Sequence, residues 1–209
     1  MATVQKAKTF TTPEGRASFP CVFVAKAMQP GQEAKFSLTL LMPKGDAEVK
    51  KFLAEAGVEI QRLIVERWPD QAARPQAFKQ AIKDGDKAVF ESGENTGRLK
   101  CDKYPEMKGA WILTANGTRK PTCIDRSGNK ITDETVVYAG CWIREMVHFY
   151  AYSNVNVGVG CSLDHVLFVR DGDAFGGTGA KPEDGFADFI GQPNGPAGVE
   201  KGDAASMFA

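Results

Sequence analysis

Long apolar runs are missing from this chain. Nothing in its 209 residues approaches the ~20 consecutive apolar residues that a membrane-spanning helix needs. The opening MATVQKAKTF also lacks the apolar segment of a secretory signal, so the expected setting is the cytoplasm. Excess charge is absent: 26 basic residues balance 26 acidic ones, and the total gives no sign of a nucleic-acid partner. Cysteine is sparse and odd in number, and no two of Cys21, Cys101, Cys123, Cys141 and Cys161 lie closer than eighteen residues. That spacing excludes a zinc ribbon and a secreted disulfide framework, and leaves buried small hydrophobes. Catalytic signatures are absent as well. There is no G-x-x-x-x-G-K-[ST], no H-E-x-x-H and no G-x-S-x-G, and histidine is limited to His148 and His165. The close carboxylate pairs Asp84/Asp86 and Asp171/Asp173 read as turn chemistry, with magnesium ligation as the sharper alternative. No metal, cofactor or enzymatic activity is expected.

What is present is unevenly distributed. From Asp171 to the end stand two basic and seven acidic residues, a net of −5, so residues 1–170 carry +5. The same end is rich in Gly, Pro and Ala, with sparse apolar residues and no period, too little to offset ordering entropy. The expected organisation is therefore a basic body over 1–178 and a flexible acidic tail over 179–209, with the boundary near Gly176–Lys181.

The body alternates between two periodicities. Residues 17–26 are apolar and β-branched, with Pro20 marking an edge or a bulge. Residues 34–42 form a second strand with Phe36, Leu38, Leu40 and Met42 on one face, and a short strand around 4–10 precedes both. Asp46 then caps a helix over 46–67 whose stripe is Val49, Phe52, Leu53, Ala56, Ile60, Leu63 and Ile64. Glu59 falls on its polar face, and Pro69 stops it. A short helix is expected near 74–82 and a long loop or twisted hairpin over 92–108. A strand at 109–115 turns at Asn116-Gly117 to pair with 119–124, and two long strands cover 138–152 and 159–170. The class is mainly β: an oligonucleotide-binding (OB)-like five-stranded barrel with elaborated loops and one long amphipathic helix.

Residues 141–152 carry the functional argument. Alternation sends Cys141, Ile143, Glu145, Val147, Phe149 and Ala151 to one face, mostly a core set. The other face takes Trp142, Arg144, Met146, His148, Tyr150 and Tyr152. Rings stack on nucleobases at about 1–3 kcal/mol each, and a guanidinium adds phosphate contact. The competing reading is a second packing face with tyrosine hydroxyls at its rim. Loop residues Lys100, Lys103, Tyr104, Arg119 and Lys120, with Lys35 on an early strand, extend the row into a candidate basic groove. Trp111 reads as core.

Several stretches in order resemble a family of phage-encoded single-stranded DNA-binding proteins: KFSLTLLMPKGD at 35–46, IKDGD at 82–86, GAWILTANGTRKPTCID at 109–125, YAGCWIREMVHFYAYSN at 138–154 and LDHVLFVRDGDAFGG at 163–177. The resemblance implies an OB fold and sequence-independent binding of single-stranded DNA (ssDNA) in phage replication or recombination, in the host cytoplasm. The acidic end with its near-terminal Phe208 resembles the partner-docking tails of such proteins, although Ser-Met-Phe-Ala is less acidic than usual. Self-association on DNA stays open, as do three alternatives: a strand-annealing mediator, a structural protein of the phage particle, and a nuclease using Asp171 and Asp173.

Overall fold

Alternation along β2 (Gly15–Lys26) and β3 (Lys35–Pro43) turns Ala17, Val22, Leu38, Leu40 and Met42 inward, each almost wholly buried. The computed structural model describes residues 7–27, 31–72, 74–75, 78–154 and 156–176. The expected tail over 179–209 lies outside them. The other strands among the described residues are β1 (Thr9–Thr11), β4 (Lys79–Gln80), β5 (Ile82–Asp84), β6 (Ala110–Gly117), β7 (Thr122–Ile124), β8 (Trp142–Ser153) and β9 (Val157–Arg170).

Pairing closes five of them into a ring: β2 to β3 to β6 to β9 to β8 and back to β2. Closure requires bent strands, and the bends are visible as register shifts. One follows Ser18, where Phe19 adopts a positive φ of 49° immediately before Pro20, at the predicted irregularity. The ring is unequally stitched. β8 and β9 pair along nearly their whole length, whereas β6 and β9 meet at a single position, Asn116 opposite Ser162. Residues 79–84 span the rest of that junction. β4 pairs with β9 and β5 with β6, while Ala81 donates to Val159 and accepts from Thr114.

The long helix forms where the periodicity places it. α1 (Ala47–Arg67) begins at Asp46, whose carboxylate accepts from the amides of Glu48 and Val49, and ends two residues before Pro69. Val49, Phe52, Ala56, Ile60 and Ile64 are buried. Phe10 ties the helix to the ring, packing edge-on against Phe52 at 6.4 Å and Phe149 at 5.4 Å. One residue departs from expectation: Glu59 is buried, and a two-pronged bond from Arg62 pulls its carboxyl below the usual range. Arg62, three residues on, reaches that carboxylate at the edge of the buried face, which a simple polar-face assignment misses.

Three local expectations fail. Described residues in 74–82 form no helix; the chain is extended in β4 and β5, because sheet edges on β9 and β6 outbid weak local propensity. The Asn116-Gly117 turn does not form, since β6 runs through both residues, and β7 pairs in parallel with β9 instead of returning on β6. Finally, 92–108 is only partly loop. It holds α2 (Lys100–Lys103) and a 3₁₀ turn at Pro105–Met107. Its Met107, with Ala88, Ala110, Ile112 and Leu41, forms a second small core on the outer side of β3 and β6. Leu41 is thus buried opposite Leu40, and β3 is covered on both faces.

All five cysteines are free. Burial pushes the thiols of Cys123 and Cys141 up to about 11, which keeps them inert.

Candidate nucleic-acid interface

The β8 alternation holds. Ile143, Glu145, Val147 and Phe149 are buried, while Trp142, Arg144, Met146, His148, Tyr150 and Tyr152 face outward. Their surroundings divide that outward row into two halves.

The first half is engaged by the protein itself. Arg170 lies 4.1 Å from the Trp142 ring and Arg16 5.3 Å from it. Arg16 also bonds the carbonyls of Gly140 and Asp173 and stacks 4.7 Å from Phe175, fastening the segment that leaves β9. Arg144 makes a two-pronged ion pair with Glu48 in the first turn of α1 and donates to the Thr12 carbonyl. His148 Nδ1 is 2.8 Å from Asp164.

The second half is open. Tyr150 is 37% exposed and its ring stands 6.2 Å from that of Tyr152. Opposite them on β9 are Gly160 and Gly158. A Cβ on Gly160 would stand 2.6 Å from Tyr150 Cζ, and one on Gly158 2.9 Å from the Tyr152 hydroxyl. The two tyrosines therefore use space that side chains would otherwise fill. Desolvation, with smaller contributions from Cys161 and Tyr152, pushes the Tyr150 hydroxyl upward.

From here a series of rings and cations crosses the outer surface. Gly158 is also the partner of Lys79 on β4. Lys79 Nζ lies 3.0 Å from Glu91, and Lys83 pairs with the same carboxylate. The two ammonium groups, Lys83 first, draw Glu91 down to about 2. Lys100 stands next. Burial lowers its pKa, repulsion from Lys83 adds to this, and Glu91 partly offsets both. Lys100 and Lys103 sit 5.8 and 5.9 Å from the Phe90 ring, and Lys103 5.7 Å from Tyr104. Tyr104 stacks edge-on with Phe19 at 4.9 Å, and Phe19 is 47% exposed. Rings spaced between ammonium groups suit bases and phosphates of an unpaired strand.

Tyr104, Lys100, Lys103, Tyr150 and Tyr152 are thus linked by one series of contacts. Lys35, Arg119 and Lys120 are not part of it. They gather at the far end of β3 and β6, where Phe36 pairs with Gly117 and Lys120 lies 5.7 Å from Phe23. Phe19, Phe90, Lys79, Lys83 and the two glycines were not singled out by the sequence reading. The glycines were findable, because Tyr-x-Tyr and Gly-x-Gly stand symmetrically about one hairpin turn.

The carboxylate pairs have protein partners. Lys44 bridges Asp84 and Asp86, while Asp171 accepts from the Tyr138 hydroxyl. Among the described residues no group of three candidate ligands comes together to hold a metal ion, and no helix is long and apolar enough to cross a membrane.

Comparison with known proteins bears on the fold and the family. A curated relative, putative protein p50 of Acyrthosiphon pisum secondary endosymbiont phage 1, is 27% identical over 175 residues, 83% of this chain and 90% of the relative. The structure of the ssDNA-binding protein of bacteriophage Enc34 in complex with ssDNA superposes with a TM-score of 0.64 at 22% identity, covering 80% of this chain and 89% of that one. The ssDNA-binding protein gp2.5 of bacteriophage T7 superposes at 0.55 with 16% identity, covering 93% and 100%. The fold is thus the OB-like one of phage ssDNA-binding proteins. A family model described as Enterobacter phage Enc34, ssDNA-binding protein, matches residues 8–194. On that match, spanning most of its length, the chain belongs to the Enc34 ssDNA-binding protein family.

Proposed function

We propose that this chain binds single-stranded DNA without regard to sequence and shields it during phage DNA replication or recombination in the host cytoplasm. Family membership sets the ligand class. The observation that carries the reading is the tract from Tyr150 and Tyr152, through Lys79, Lys83 and Lys100, to Phe90, Tyr104 and Phe19. Bases stack on its rings, and its lysines neutralise phosphates. Arg144 and Trp142 serve it indirectly by fixing α1 and the segment after β9. Lys35, Arg119 and Lys120 lie apart from it at the far end of β3 and β6, and His148 is paired with Asp164. The protein acts by occupancy and not by catalysis. The acidic residues after Asp171 compete with DNA for the basic tract and recruit replication proteins, so removing 181–209 tightens DNA binding.

The test is titration of the full chain with labelled poly-dT and with duplex, followed by fluorescence polarisation. Saturable binding to the single strand that weakens steeply with salt, with much weaker duplex binding, is the expected result. Equal affinity for duplex would overturn the reading.

A further inference from the structure

Beside the tract lies a cleft of 560 Å³ between β4–β5 and the β8–β9 hairpin. Its apolar lining comes from Phe78, Ile82, Val89 and Val157, and Asn156 supplies an amide. Lys79, Lys83 and Lys87 supply the positive charge. The volume is that of a small-molecule site, roomy enough for a nucleotide. Two carboxylates line it: Asp84, which is held by Lys44, and Glu91, whose two oxygens each hold one of the lysines, Oε2 taking Lys79 and Oε1 taking Lys83. A carboxylate that bridges two ammonium groups resembles a phosphodiester in carrying one negative charge over two acceptor oxygens.

The cleft is also continuous with the stacking surface. Lys79 stands opposite Gly158, and Gly158 opposite Tyr152. Partners directly across a sheet share a face, so a strand leaving Tyr152 meets Lys79 next. Phe90, beyond Glu91, begins the second set of rings.

We infer that the cleft receives one unstacked nucleotide of the bound strand, whose phosphate displaces Glu91 from Lys79 and Lys83. Glu91 is a built-in competitor: in the free protein it neutralises the two lysines, and entry of DNA exchanges one anion for another. This rests on the ssDNA reading above and adds to it a nucleotide subsite and a residue that sets affinity. Surface ion pairs are weak enough for such an exchange, and an anionic partner that merely lies on the surface would not need it.

Three variants test the exchange by polarisation with poly-dT, with thermal melting run alongside. Glu91→Gln keeps the shape and removes the charge. It is expected to tighten binding about fivefold, the equivalent of the two exposed ion pairs that the strand no longer breaks. Lys83→Ala weakens binding and flattens the log K against log salt plot by about 0.7. Val89→Trp, at a half-exposed wall position, fills the cleft and weakens binding without altering the melting temperature. Unchanged or weaker binding by folded Glu91→Gln overturns the exchange. Unchanged binding by Val89→Trp overturns the subsite, and it does so even where Glu91→Gln fails to fold. Absence of any binding by the unaltered chain is a different result and removes the ssDNA reading itself.

Discussion

The ring of Tyr150 occupies the space that a side chain at residue 160 would fill: a Cβ on Gly160 would stand 2.6 Å from Tyr150 Cζ. A stacking surface is thus made by a residue that contributes no side chain. Gly160→Ala displaces the far end of a partly exposed ring without touching the core. We expect the melting temperature to stay within about 3 °C of the parent, by the usual scale of surface changes. Affinity for poly-dT falls by about 1–3 kcal/mol, the worth of one stacked base. Unchanged affinity would show that the Tyr150 position carries no base.

Phe19 and Trp142 should separate binding from folding. Phe19 is exposed and held at a strained backbone angle, so Phe19→Ala leaves stability nearly unchanged and weakens ssDNA binding by about 1–3 kcal/mol. Trp142 lies against Arg16 and Arg170, and Trp142→Ala costs about 2 kcal/mol of stability through lost packing. Urea melts and polarisation on the same samples distinguish the two. The reverse pattern would return Trp142 to the DNA surface.

Lysines on the tract should each register in the salt dependence. Lys103→Ala flattens the log–log slope by about 0.7, the single-strand value per neutralised phosphate. Lys50→Ala, on the exposed side of α1, leaves it unchanged. Equal slopes for both would place the phosphates elsewhere.

Glu145 makes stability depend on pH. Its carboxyl is buried in the ring, neither oxygen has a partner among the described residues, and burial raises its pKa well above 4.5. Below pH 4.5 folded and unfolded chains both hold the proton. Above it the unfolded chain ionises while the folded one does not, so stability falls as pH rises, by about 1.4 kcal/mol per unit, until the folded pKa is reached. Glu145→Leu removes this slope and stabilises the chain more at pH 8 than at about pH 5. Denaturant melts at the two pH values check it, and equal gains would mean that Glu145 is ionised inside the ring.

How far the residues foretold this molecule depends on where each interaction reaches. α1 was legible from its period and its Asp46 cap, both local. The β8 alternation was legible because one strand carries its own code. Leu41 was not, since the second core that covers it comes from distant residues, Ala88, Met107, Ala110 and Ile112. The short helix near 74–82 failed for the same reason: the edges of β6 and β9 claim the segment. The aromatic tract combines Phe19, Phe90 and Tyr104, three rings from separate stretches with no shared pattern. Family likeness named the ligand class, but the lysine cleft emerged only when strands 79–84 and 157–159 met.

The junction between β6 and β9 is joined directly at one position, and the patch that completes it carries Lys79 and Lys83. A ligand gripped by those two side chains therefore fastens the seam where the wall is thinnest. Amides of Ala81 and Thr114, which bridge it, should be among the first in the ring to exchange with solvent deuterium and among those most slowed once the site is filled. Occupancy and mechanical closure become the same event, and the protein is least prone to open when it is at work.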